Sequence, residues 1–279
     1  MTLEQANKSD ALYRTRWQSL LSVDDLIIAV VDKMAEATEM NGRKGYVIFT
    51  SDHGYRFGQF RMPQGKWNVY ENDISIPWLI MGPGIAANTT FSHIASQVDT
   101  IPTILGLAGA VVPPSMDGRS IAAVLINGDL EGEEIPSTVR AHVQRARDEV
   151  SATHGNETSA AAAWRTELLI EYYGLGPVVR YEHIEDTPNN TFRALRVYDE
   201  SLPAGHRNVK LVQFTDYDNW NFSAPISGAT AYPYEWELFD IDADPFETKN
   251  LYATAETTWR NRLFATLERL YKCQGTTCN

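Results

Sequence analysis

The sequence predicts an α/β chain in which the last part of a doubly wound sheet is followed by a small antiparallel sheet packed by a C-terminal helix. Two patterns support this fold class. Before about residue 110, the periodicities follow the order helix, strand, strand, helix. After about residue 164, four β-like runs precede one amphipathic helix. With 279 residues and 43% hydrophobic content, the chain can bury a sizeable core.

The first part, residues 1–115, begins with a long helical pattern. Apolar residues recur at intervals of three and four between about residues 11 and 40, and Asn41-Gly42 is a typical stop signal. The apolar runs 46–50 and 77–81 predict two strands. Asp99 or Thr100 is predicted to be the N-cap of a short helix that runs to Gly109.

The remaining chain divides into a connecting segment, 116–163, and a C-terminal subdomain, 164–279. The connecting segment is rich in Gly, Pro, acidic and small residues, with a helix predicted around 137–150. Strands are predicted at 167–173, 192–198, 209–217 and 235–241, and a helix at 256–271. This order favours a small antiparallel sheet covered by the final helix.

The segment Asp52-His53-Gly54 directly follows the first predicted strand. In open α/β sheets, ligands bind in the crevice outside the carboxyl ends of the strands. A carboxylate and an imidazole at such an end can bind a metal, and Lys66, which follows soon after, suits an anionic substrate group. Taken alone, the tripeptide is more typical of a polar turn after a strand, and the surrounding motifs are what favour a metal site. The basic residues Arg43, Lys44, Arg56 and Arg61 are expected to be mostly solvated surface charges.

Several ordered motifs together resemble the sulfatases, and within them the glucosamine-6-sulfatases and heparan 6-O-endosulfatases. The most specific are Asp52-His53-Gly54, Gly65-Lys66 and the terminal Cys273-Gln274-Gly275-Thr276-Thr277-Cys278. Matching stretches lie at residues 16–26, 46–84, 98–109, 116–118, 236–245 and 273–278. The resemblance therefore extends over nearly the whole chain, apart from about residues 125–160.

The resemblance implies a site and a function. Asp52 and His53 match two metal ligands, and Lys66 matches the catalytic lysine that contacts the sulfate. Glu71 matches a family acid, expected to orient a neighbouring group. Calcium is the metal that the family implies, although imidazole suits zinc or manganese better. The implied activity is hydrolysis of sulfate esters, removing 6-sulfate from glucosamine in heparan-type glycosaminoglycans, in a lysosomal or secreted protein.

One family motif has no counterpart in the sequence. Sulfatases carry a formylglycine nucleophile derived from the cysteine of a Cys-x-Pro-x-Arg motif, and the 279 residues contain no such motif. We therefore expect the chain to be the C-terminal portion of a sulfatase and inactive without the missing N-terminal portion. Two alternatives stay open. One is a non-catalytic protein that binds sulfated glycans, and the other is a related metal-dependent phosphodiesterase or phosphonate hydrolase.

Composition limits the partners and the compartment. A net charge of −12 argues against nucleic-acid binding, and no apolar run is long enough for a membrane span. The first residues lack the features of a signal peptide. Cys273 and Cys278 are expected to form a short disulfide in an oxidising compartment, with two free thiols as the alternative. Candidate glycosylation sequons lie at Asn88, Asn156, Asn189 and Asn221.

Overall fold

The computed structural model describes residues 2–62, 64–126, 135–154, 159–174, 190–215, 222 and 236–278. The helices are α1 (Leu3–Asn41), α2 (Glu71–Ile74), α3 (Thr100–Leu107), α4 (Ala122–Leu125), α5 (Ser137–His154) and α6 (Thr257–Tyr271). The strands are β1 (Val47–Thr50), β2 (Trp78–Met81), β3 (Glu167–Tyr172), β4 (Thr191–Tyr198), β5 (Asn208–Thr215) and β6 (Trp236–Asp240). This mixture of helices with a small antiparallel sheet confirms the predicted fold class.

Helix α1 is 39 residues long and begins earlier than the periodicity predicted. Thr2 and Gln5 form a capping box, in which each side chain accepts the other's backbone N–H, so the polar first turns are helical as well. Gly42 ends the helix with a φ of 66°, a left-handed conformation that glycine adopts without strain. All residues of α1 are described, and none of them is buried. No helix in the described ranges is long and apolar enough to cross a membrane.

Strands β1 and β2 form a two-stranded antiparallel sheet, with Thr50 opposite Trp78 and Val47 opposite Met81. Ile48 and Ile80 pack against a core formed by α3, α4 and α5. Because side chains alternate across a strand, Leu79 and Met81 point to the other face, where they are more than half exposed. This sheet fixes the direction in which the chain enters the Asp52 segment.

The C-terminal sheet has the order β3-β4-β5-β6, and every neighbouring pair is antiparallel. One face packs on α6 through a core that includes Leu195, Leu211 and Leu267. On the opposite face, Phe192 of β4 and Val212 of β5 pack against Val69. The sheet is therefore covered on both faces, and one cover is the chain segment that precedes α2.

Further contacts join the first part of the chain to the later parts. Trp164 Nε1 donates to the carbonyl of Ile94 at 2.7 Å, and Arg165 pairs with the buried Asp99 at 2.5 Å. Near the C-terminus, Cys273 and Cys278 are joined by a disulfide. The three predicted domain ranges stay a prediction. Asn88 is exposed, whereas the sequons at 156, 189 and 221 lie outside the described residues.

Candidate functional site

The structure brings Asp52, His53 and Lys66 into contact just after β1. His53 Nε2 lies 2.9 Å from Asp52 Oδ2 and 2.5 Å from Lys66 Nζ. The side chain of Asp52 is 79% exposed and that of His53 is 31% exposed, so this cluster opens to solvent. A carboxylate, an imidazole and an ammonium group therefore meet at one accessible point at the end of a strand.

The orientation of the His53 ring follows from its other nitrogen. His53 Nδ1 lies 2.6 Å from the carbonyl oxygen of Gly54, which can only accept a hydrogen bond. Nδ1 must therefore carry a proton, and in the neutral ring Nε2 holds the lone pair. This lone pair accepts a hydrogen bond from the ammonium group of Lys66. A histidine held in this way by a backbone carbonyl presents Nε2 as a metal-ligating atom.

The charges around Asp52 favour its ionised form. Desolvation raises the pKa of Asp52, but His53, two backbone hydrogen bonds and Lys66 together lower that pKa below its usual value. The carboxylate of Asp52 and Nε2 of His53 therefore lie side by side, and the ammonium group of Lys66 also contacts Nε2. Such a donor pair fits two positions of a metal shell. No group of three His, Cys, Asp or Glu side chains suited to a metal ion occurs among the described residues, so other ligands would have to complete the shell.

The loop that carries Lys66 is held by a residue that sequence reasoning misplaced. Arg56 was expected to be a solvated surface charge, but only 7% of its side chain is exposed and it pairs with Asp73 at 2.6 Å. The same guanidinium donates to the carbonyl of Lys66 at 2.8 Å. Nothing in the sequence near Arg56 indicated this, because its partner lies on α2.

Glu71 lies at the start of α2, and its carboxylate faces the C-terminal sheet. Its Oε1 lies 3.2 Å from Arg196 Nε and 3.3 Å from Lys210 Nζ. Its backbone N–H donates to Glu247 at 2.6 Å. The orienting role expected for Glu71 stays a prediction, and these contacts tie α2 to β4 and β5.

Comparisons with known proteins identify relatives of this fold. Residues 2–110 match the family model named Sulfatase. A protein solved in complex with its substrate D-glucosamine-2-N,6-O-disulfate superposes with a TM-score of 0.59 at 25% identity, over 91% of this chain and 39% of that protein. Residues 2–110 therefore form a sulfatase-family segment, which contains two of the most specific motifs, Asp52-His53-Gly54 and Gly65-Lys66.

The curated relatives carry the names of individual kinds of sulfatase. N-acetylglucosamine-6-sulfatase of Bos taurus is 28% identical over 297 residues, which cover 100% of this chain and 43% of the relative. Arylsulfatase of Volvox carteri is 32% identical over 286 residues, which cover 99% of this chain and 37% of the relative. An extracellular sulfatase SULF-1 homolog of Drosophila melanogaster is 40% identical over 119 residues, covering 43% of this chain and 10% of the relative. The chain thus spans less than half the length of each of these relatives.

A phosphonate monoester hydrolase from Silicibacter pomeroyi also shares the fold. It superposes with a TM-score of 0.55 at 19% identity, over 91% of this chain and 40% of the hydrolase. At this identity, the likeness concerns the fold alone.

Proposed function

We propose that this chain forms part of a sulfuric ester hydrolase that removes 6-sulfate from glucosamine units of heparan-type glycosaminoglycans. The observation that carries the proposal is the contact of Asp52, His53 and Lys66 at the end of β1. The names of the N-acetylglucosamine-6-sulfatase relatives and the glucosamine disulfate bound by the structural relative support the substrate class. Lysosomal or secreted localisation belongs to the same proposal, supported by the extracellular relative.

Lys66 is the group that we expect to hold the sulfate. Hydrolysis of a sulfate ester increases negative charge on the non-bridging and leaving oxygens, so a fixed cation stabilises the transition state. An ammonium group has three N–H donors. In the structure, one of them is directed at His53 Nε2, which holds Lys66 beside the site. When a metal occupies the Nε2 lone pair, all three donors are available for sulfate oxygens.

Asp52 and His53 are proposed as two ligands of a divalent metal, which the family implies to be calcium. A bound divalent ion supplies Lewis-acid stabilisation of the charge on the sulfate oxygens. Asp52 offers an ionised carboxylate, and the Gly54 carbonyl accepts from Nδ1–H of His53, so Nε2 is the ligating nitrogen of the neutral ring. Calcium favours oxygen ligands, so the remaining ligands should be oxygen atoms from other parts of the complete site.

Sulfate release from a heparan disaccharide that contains glucosamine 6-sulfate tests this proposal. The assay compares the 279-residue chain with the same sequence joined to a sulfatase segment that supplies Cys-x-Pro-x-Arg. We expect no turnover by the chain alone, because it has no formylglycine precursor. We expect metal-dependent turnover when the nucleophile is present.

Single substitutions then test the site residues. Asp52→Asn and Lys66→Met should each lower kcat/KM at least about a hundredfold, in the range seen on removing one stabilising group. Glu200→Gln, which changes another exposed acid just after the end of β4, serves as the control and should leave kcat/KM unchanged. Hydrolysis by the chain alone would contradict the nucleophile requirement, and equal losses in Asp52→Asn and Glu200→Gln would contradict the site.

Binding of sulfated glycans without catalysis is the second candidate. The lack of a Cys-x-Pro-x-Arg motif in the 279 residues favours it. In that case the chain should bind heparin with a salt-dependent affinity that falls in Lys66→Met, while no sulfate is released under any condition.

A further inference from the structure

The chain between β1 and α2 that carries His53 and Lys66, which we call the site loop, is held by a buried ion pair between Arg56 and Asp73 on α2. Arg56 Nη1 donates to Asp73 Oδ2 at 2.6 Å and to the Lys66 carbonyl at 2.8 Å. Only 1% of the Asp73 side chain is exposed. A guanidinium presents several donors in a rigid planar arrangement, so one arginine can hold a carboxylate and a carbonyl in fixed relative positions.

Asp73 also holds the chain beside both His53 and Lys66. Its backbone carbonyl accepts from the N–H of Gly54 at 2.8 Å, and its Oδ2 accepts from the N–H of Asn68 at 2.9 Å. Gly54 is adjacent to His53, and Asn68 lies two residues beyond Lys66. One aspartate therefore fixes the backbone next to each partner of the imidazole–ammonium contact.

The two ends of the loop are joined directly as well. Arg56 and Gly65 exchange a pair of backbone hydrogen bonds, at 2.9 Å and 3.2 Å. This bridge brings Lys66 back beside His53, although the two are 13 positions apart along the chain. Beyond the bridge, the guanidinium of Arg56 binds the Lys66 carbonyl and so restricts rotation of the Lys66 backbone.

We propose that Arg56 and Asp73 are positioning residues, which set the distance between Lys66 Nζ and His53 Nε2 and so place the ammonium group for an anionic substrate oxygen. This inference rests on the proposed function for the identity of the substrate. The arrangement of the loop itself does not depend on that identity. A purely stabilising ion pair would raise the fraction of folded protein without altering the site of the folded molecules.

Arg56→Lys and Asp73→Asn test the proposal, with Arg193→Lys as a matched control. Lysine keeps the charge of Arg56 but cannot hold two acceptors in one plane. Arg193 is also buried and pairs with Glu268 on α6, away from the site loop. Amide hydrogen exchange at Gly54, Gly65 and Asn68 reports on the loop under conditions in which each variant is folded.

We expect exchange at these three amides to accelerate at least about tenfold in both site variants but not in Arg193→Lys. Wild-type exchange rates in the site variants, or equal acceleration in the control, would overturn the positioning role. In the catalytically complete protein, the site variants should also raise KM for the sulfate ester at least about tenfold, whereas loss of folded protein alone lowers only the apparent kcat. If no variant and no wild-type protein releases sulfate, the proposed function fails while the exchange data still decide the positioning role.

Discussion

Lys210 provides the sharpest test of how the two halves of the structure are held together. Its side chain is fully buried on β5, and its ammonium group donates to the carbonyl of Val69 at 2.6 Å. It also forms ion pairs with Glu247 and, at 3.3 Å, with Glu71. The ammonium group of Lys210 therefore both donates a hydrogen bond to the carboxylate of Glu247 and balances its charge.

Replacing Lys210 by methionine keeps most of the volume but leaves the carboxylate of Glu247 without its counter-charge. Only 2% of that side chain is exposed. Removing one partner of a buried ion pair costs about 3–5 kcal/mol, because an uncompensated charge stays in a medium of low polarity. Burial already raises the pKa of Glu247, and Lys210 is the first influence that opposes this rise. The substitution should therefore raise that pKa further.

The penalty should depend on pH in a definite direction. In Lys210→Met, native Glu247 binds its proton more tightly than unfolded Glu247 does. The stability of the variant relative to the wild type should therefore be higher at low pH and fall as the pH rises through the folded-state pKa. We expect a loss of about 3–5 kcal/mol near pH 8 and a smaller loss near pH 5.

Urea denaturation at the two pH values measures these differences. Lys33→Met, at an exposed pair with Glu36 on α1, is the control and should cost less than about 1 kcal/mol. The double variant Lys210→Met with Glu247→Gln should recover most of the loss, because residue 247 then carries no uncompensated charge. A loss below about 1 kcal/mol in Lys210→Met, or an equal loss at both pH values, would refute the electrostatic account.

Two further perturbations test the same region. Burial raises the pKa of Glu237 to about 7 from its ordinary 4.5, and the Tyr70 hydroxyl, Glu247 and Lys210 are its charged or hydrogen-bonding neighbours. The native state therefore binds more protons than the unfolded state between these values. Stability should fall by up to about 3 kcal/mol as the pH rises across that window. Glu237→Gln should remove most of this slope, and an unchanged slope in urea titrations would contradict the assignment. Gly54→Ala would place a Cβ 2.1 Å from the backbone oxygen of Asn72. We expect a loss of about 1–3 kcal/mol with a shifted site loop, and unaltered stability and amide shifts would show that the close approach is absent.

The regular elements could be predicted well from the sequence because their signals are local. The strand predictions agree with β3 to β6 within about two residues, since alternating apolar side chains already specify a strand with a buried face. The start of α1 was predicted too late, because its first turns are polar and depend on the Thr2 cap. The contact of Asp52, His53 and Lys66 was anticipated from the resemblance, although their roles stay proposals.

The sequence by itself determined which residues form strands and helices, which family the motifs indicate, and that Asp52 and His53 follow the end of a strand. Only the tertiary structure decided that Arg56 is buried against Asp73 and that Glu71 faces Lys210. The physical reason is that hydrophobic periodicity is a property of residues close together in the sequence. A charged side chain, in contrast, becomes buried only if folding brings an opposite charge to it from a distant segment.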